Sequence, residues 1–98
     1  MRILLVEPRP DRAALLAGAL AGHEVQTFPT ATRALRALRS GGWHAMAVGR
    51  LQGDVPGTLL VELVSRLSTG KGLAVHLLDE AEGGPGLAAW VGSLPTPA

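Results

Sequence analysis

Short apolar runs alternate with longer helical stripes along the chain. Two runs, at residues 3–6 and 45–48, have the length and continuous hydrophobicity of strands buried on both faces. Residues 25–28 and 73–78 are the predicted second and fourth strands. Between them, apolar residues recur at helical spacing, as in Ala31, Ala34, Leu35 and Leu38, and each stripe ends near glycine. The pattern predicts alternating strands and helices.

This alternation defines the expected fold class. Strands separated by single helices favour a parallel sheet with right-handed crossovers and helices on both faces, a doubly wound α/β fold. With 98 residues, the chain has room for a single domain. Thr30 is the candidate N-cap of the second helix, because its hydroxyl can accept a hydrogen bond from the first turn.

Composition excludes several classes of function. The chain has no cysteine, its three histidines lack metal-site spacing, and no glycine fingerprint for a dinucleotide follows the first strand. No serine lies in a nucleophile elbow. We therefore expect no catalytic residue, no metal, no cofactor and no enzymatic activity. The apolar run after Arg2 is too short for a signal peptide or membrane span, so we expect a cytoplasmic protein.

Two segments resemble the receiver domain of bacterial response regulators. They are the run Arg-Ile-Leu-Leu-Val-Glu at 2–7 and the run Thr-Ala-Thr-Arg-Ala-Leu-Arg-Ala-Leu at 30–38, and the spacing of the third and fourth strands agrees with them. The resemblance covers residues 1–78. It implies a flavodoxin-like sheet of about four strands in the order 2-1-3-4, without the family's fifth strand, and a role in two-component signalling.

The family's phosphorylation residues have no counterparts at the matching positions. Its paired acids correspond to Glu7 and Pro8, its phosphate-accepting Asp corresponds to Gly49, and its Thr or Ser corresponds to Leu77. Glycine has no oxygen nucleophile to receive a phosphoryl group. These four residues are therefore expected to form a vestigial phosphorylation pocket. Asp54 lies five residues past Gly49 and is a poor substitute, whereas Arg50 could lean toward Glu7 as a fixed cation.

The last twenty residues are predicted to contain a hinge and one helix. Residues 79–86 are acidic and glycine-rich, which indicates a flexible hinge, and residues 87–94 carry an amphipathic stripe of Leu87, Trp90, Val91 and Leu94. The stripe could cover the chain's own sheet or contact another chain. Because the fourth strand would lie at an open edge, we expect association, in the form of a homodimer.

Arginines are concentrated in the first half of the chain. Residues 1–50 contain seven arginines and three acidic residues, and Arg33, Arg36 and Arg39 recur every third residue along the second helix. This stripe is either an ordinary solvated face or a docking strip for an anionic partner.

Taken with the receiver resemblance, the sequence predicts a phosphorylation-independent pseudo-receiver that binds proteins. The alternative is a module that binds nucleic acid or another anionic partner through its arginine-rich face.

Overall fold

The sheet contains four parallel strands. A computed structural model describes residues 1–49, 55–66, 73–79, 81 and 83–95. Within these ranges the strands are β1 (Arg2–Val6), β2 (Glu24–Phe28), β3 (Ala45–Val48) and β4 (Ala74–Leu77). Their order is β2-β1-β3-β4, and all three pairings are parallel. The predicted α/β class and the strand order 2-1-3-4 are confirmed.

In the described ranges, four helices cover the two faces of the sheet. They are α1 (Pro10–Gly18), α2 (Ala31–Leu38), α3 (Gly57–Arg66) and α4 (Gly84–Gly92). One core cluster joins buried residues of α2 and α3 to the sheet, and a second joins buried residues of α1 and α4 to the opposite face. The two clusters give the doubly wound architecture two separate hydrophobic layers.

Strand β1 lies at the centre of both layers. Leu4 and Val6 belong to the cluster beneath α2 and α3, whereas Ile3 and Leu5 belong to the cluster beneath α1 and α4. All four side chains are fully buried. Successive side chains of a strand point to opposite faces, so a strand covered on both sides must be apolar throughout. This requirement explains the continuous apolar run in the sequence.

Helix α4 begins earlier than its apolar stripe suggests. It includes Gly84 and Pro85, which sequence analysis assigned to the hinge at 79–86, and it ends at Gly92 before Leu94. Pro85 lies in the first turn, where a missing backbone N–H leaves no helical hydrogen bond unmade. Positions 80 and 82 of the expected hinge lie outside the described residues, and its flexibility stays a prediction.

Helix α2 begins at the predicted cap. The Thr30 Oγ1 accepts a hydrogen bond from the backbone N–H of Arg33 at 3.2 Å, and Thr30 has the extended backbone of an N-cap residue. We expect Thr30→Ala to lower the free energy of unfolding by about 1 kcal/mol, because one helical N–H loses its acceptor. Urea denaturation measures the change. Thr30→Ser retains the hydroxyl and serves as the control, and equal losses in both variants would contradict the capping role.

Candidate functional site

The carboxyl ends of the strands form one level edge. Val6 of β1 is paired with Val48 of β3, and Val48 with Leu77 of β4. The ladder extends one residue further, because the Gly49 N–H donates to the Val6 carbonyl at 2.8 Å and the Leu78 N–H donates to the Val48 carbonyl at 2.7 Å. Glu7 and Gly49 therefore stand side by side just past the sheet.

Glu7 carries a buried carboxylate at this edge. The residue is 2% exposed, and the side chains of Arg9 and Arg12 both approach it. The Arg9 Nε donates to Oε1 at 3.0 Å, and the Arg9 backbone N–H donates to the same oxygen at 3.2 Å. The Arg12 Nε lies 3.4 Å from Oε2. A buried carboxylate requires such cations, since desolvation alone would strongly disfavour its charge.

The two arginines differ in their surroundings. The side chain of Arg9 is 58% exposed, whereas that of Arg12 is 17% exposed and its Nη2 also donates to the Asp79 carbonyl at 2.9 Å. The Arg12 Nε and the Glu7 Oε2 attract each other electrostatically without forming a hydrogen bond. Neither atom has a hydrogen-bond partner among the described residues. Arg12 therefore connects the end of β1 to the chain that follows β4.

Gly49 leaves the space that the Glu7 carboxylate occupies. A Cβ built on Gly49 would collide with the Glu7 Oε2 and would lie 3.2 Å from the Val6 carbonyl oxygen. Glycine is therefore required here by a close approach between a side chain and the backbone. The Glu7 carboxylate thus occupies the space where a side chain at position 49 would lie.

The remaining residues of the expected pocket are less closely associated. Pro8 is half-buried directly after Glu7. Leu77 packs with the cluster beneath α2 and α3, and the β4-side residue level with Gly49 is Leu78, which is buried in the opposite cluster. Arg50 and Asp54 lie outside the described residues, so the fixed-cation hypothesis for Arg50 stays a prediction.

The buried Glu7 carboxylate is held in ion pairs within the chain. Glu7 is the only carboxylate among the described residues that lies buried, and both of its oxygens face guanidinium groups. In the same described part of the chain, no group of three or more His, Asp or Glu side chains is placed to hold a metal ion. A carboxylate engaged in this way is poorly placed to attack phosphorus or to ligate Mg²⁺.

Part of the expected interface of α4 is buried in the chain's own core. Leu87 and Val91 are buried in the cluster beneath α1 and α4. Trp90 is half-buried and stacks on His76 of β4, with ring centroids 4.8 Å apart, and Leu94 is half-buried after the helix. The helix thus covers its own sheet through Leu87 and Val91, and Trp90 lies beside the edge strand.

The arginine stripe of α2 is exposed as a whole. Arg33, Arg36 and Arg39 are all solvent-exposed, and no ion pair joins them to an acidic side chain in the described residues. Arg33 and Arg36 line an open groove with Thr27 and Phe28, whereas Arg39 does not line it. The structure therefore divides the stripe into a groove-lining pair and one separate arginine.

Sequence reasoning did not assign Arg12 to Glu7. The two residues are five positions apart across a loop, and only the start of α1 at Pro10 turns Arg12 toward the end of the sheet. The sequence signal for this ion pair is a cation, Arg12, in the first turn of the helix that follows an acid, Glu7, at the end of a strand.

Comparisons with protein-family models and with curated proteins find no match to this chain. Within its described ranges, no helix has the length and hydrophobicity needed to cross a membrane.

The close approach at Gly49 predicts a cost for any side chain there. We expect Gly49→Ala to lower the free energy of unfolding by about 1 to 3 kcal/mol, because the added methyl group must displace a buried, ion-paired carboxylate. Gly18→Ala is the matched control, since a Cβ there meets nothing within 4 Å. In helix α1 it should raise stability by about 0.5 to 1 kcal/mol. Thermal or urea denaturation of both variants measures the difference, and equal effects would contradict the steric argument.

Proposed function

We propose that the chain is a phosphorylation-independent pseudo-receiver that acts by binding proteins in bacterial signalling and that it forms a homodimer. The observation that carries this proposal is the Glu7 carboxylate, which lies over Gly49 and is neutralised by Arg9 and Arg12. The parallel sheet in the order 2-1-3-4 is consistent with the receiver resemblance of residues 1–78. The receiver scaffold would thus serve recognition, with its reactive end closed by its own side chains.

Failure to accept phosphate is the first test. Intact-protein mass spectrometry after incubation with an acyl phosphate donor and Mg²⁺ should show no added phosphoryl group, because Gly49 has no nucleophile and Glu7 is ion-paired. An adduct on Glu7 or Asp54 would contradict the proposal. Asp54→Ala separates these two outcomes, since it removes one candidate acceptor and leaves the Glu7 site unchanged.

The open edge of β4 supports the proposed dimer. Among the described residues, β4 pairs only with β3, and the N–H groups of Ala74 and Leu78 donate to that strand. The alternate residues Val75 and Leu77 therefore direct their backbone groups away from β3. Exposed strand edges of this kind pair with another strand unless they are protected. The partly exposed Trp90 stacks on His76 and extends this edge with an apolar surface.

We expect the dimer to form by pairing of two β4 edges. Sedimentation equilibrium at micromolar concentrations should give twice the monomer mass, and Val75→Pro should shift the equilibrium to monomer because it removes an edge N–H. Thr27→Pro places the same substitution on the opposite edge and should leave the mass unchanged. A wild-type chain that is monomeric throughout this range would contradict the proposal.

Hydrogen exchange tests the same interface without a substitution. The amides of Val75 and Leu77 should exchange more slowly as protein concentration rises, since pairing protects them. A dimer in which these amides exchange at a concentration-independent rate would place the interface elsewhere and refute edge pairing.

A second candidate function is supported by the charge distribution. Residues 25–53 contain four arginines and no acidic residue. The segment includes α2, β3 and all of β2 except Glu24, and the positive charge of α2 has no internal counterion among the described residues. This surface favours an anionic partner.

A further inference from the structure

We infer that the open edge of β2 and the groove beside α2 together bind an extended acidic peptide segment of a partner protein. The inference rests on the proposed function, because it assumes that the chain acts by recognition. It names a second surface, on the side of the sheet opposite to the proposed dimer edge.

The edge of β2 offers backbone groups for an added strand. Among the described residues, β2 pairs only with β1. The Glu24 N–H donates to the Met1 carbonyl at 2.9 Å, and the Phe28 carbonyl accepts from the Glu7 N–H at 3.0 Å. In a parallel ladder these alternate residues face β1, so the backbone groups of Val25 and Thr27 face outward. An extended peptide can pair with them by β-augmentation.

The groove beside this edge selects for negative charge. Its volume is about 560 Å³, which is within the range of ligand-binding pockets, and its lining includes Thr27, Phe28, Arg33 and Arg36. None of its lining residues is acidic. Glu24, at the amino end of β2, forms an ion pair with Arg2 at 3.3 Å and is not part of the groove. Carboxylates are the natural partners of two such guanidinium groups.

The two features match the geometry of one ligand. Side chains of an added strand alternate between the faces of the sheet, so every second residue would lie on the face covered by α2. Acidic residues at those positions would meet Arg33 and Arg36, while the peptide backbone pairs with Val25 and Thr27. The backbone contacts would supply affinity and the arginines would supply specificity.

The aromatic residue of the groove argues for a peptide over nucleic acid. Single-stranded nucleic acid is bound by stacking its bases on exposed aromatic faces. Phe28 is half-buried and already makes an edge-to-face contact with Trp43, with centroids 6.4 Å apart, and Trp43 itself lies under the guanidinium of Arg2. Two arginines beside a free strand edge suit a carboxylate-bearing strand better than a base-stacking polymer.

Fluorescence anisotropy with a labelled peptide tests the inference. The probe is a ten-residue peptide in which threonine alternates with glutamate, and the control peptide has glutamine at every glutamate position. We expect the glutamate peptide to bind about tenfold more tightly than the glutamine peptide, because only carboxylates form charge-assisted hydrogen bonds with arginine. Equal binding of the two peptides would overturn the inference.

Single-charge variants locate the site. Arg33→Gln and Arg36→Gln should each weaken binding by about fivefold, whereas Arg39→Gln removes the same charge from the C-cap residue of the helix and should change binding by less than about twofold. All three arginines are exposed, so the variants are expected to fold. A uniform loss across the three variants would indicate non-specific attraction and overturn the groove as the site.

The backbone pairing is tested on the peptide itself. N-methylation of the peptide residues that face β2 should abolish binding, and N-methylation of the alternate residues should not, because only the first set donates to the strand. Amide resonances of Val25 and Thr27 should shift on titration. Amide shifts confined to β4 or α4 would overturn the inference. It would also be overturned if an oligonucleotide with the same net charge as the peptide bound more tightly than the peptide at Arg33 and Arg36.

A failure of this inference can be distinguished from a failure of the proposed function. Loss of peptide binding with an intact β4 dimer and no phosphoryl uptake would refute only the β2 surface. Phosphoryl uptake, by contrast, would refute the pseudo-receiver proposal while leaving the amide shifts of β2 to report on the peptide.

Discussion

A carboxylate buried at the end of the central strand constrains the rest of this structure. Removing a charge from water is costly, so Glu7 requires compensating cations within a few ångströms. Arg9 supplies one from the loop after β1, and Arg12 supplies the other from α1. Because Arg12 also donates to the Asp79 carbonyl, the requirement extends to the chain after β4. One buried acid thereby links the loop after β1, the first turn of α1 and the backbone at Asp79.

This constraint has a consequence for the kind of function that the fold can support. In open parallel sheets, ligands usually bind outside the carboxyl ends of the strands. Here Glu7 occupies the space over Gly49, and its charge is already satisfied internally. Among the described residues, outward-facing strand backbone lies at the two edges of the sheet, and exposed arginines lie along α2. Recognition at those surfaces is the function that we propose on this basis.

The sheet was predictable from the sequence to a greater extent than the last helix. Burial on both faces requires continuous apolar runs, so strands such as β3 are recognisable without tertiary information. Helix α4 begins with Gly84 and Pro85, which have low helix propensity and indicate a hinge. Its start depends on packing, since a Cβ on Gly84 would lie 2.6 Å from the Ala19 Cβ. Close contact between α1 and α4 overrides local preference there.

The candidate site likewise combines features that the sequence predicts with features that depend on tertiary packing. Glu7 and Gly49 each follow a predicted strand, so parallel register alone places them side by side. The approach of Arg12 depends on where α1 begins and how it is oriented, and neither is encoded by spacing. The groove of Arg33 and Arg36 likewise requires the position of α2 relative to β2. Sequence identified the exposed arginines, but only the fold separates Arg39 from the other two.

The two edges of the sheet differ in the chemistry of the helices that flank them. Helix α3, which packs near β4, has its exposed Glu62 and Arg66 paired with each other and exposes Leu59 and Leu63. Among the described residues, α3 beside that edge therefore offers one internally paired set of opposite charges and two exposed leucines, which is consistent with the homodimer that we propose. The β2 edge borders α2, whose arginines have no such pairing among the described residues. Charge repulsion would therefore disfavour pairing of the β2 edges of two copies of the chain. It would favour pairing of one β2 edge with an acidic strand.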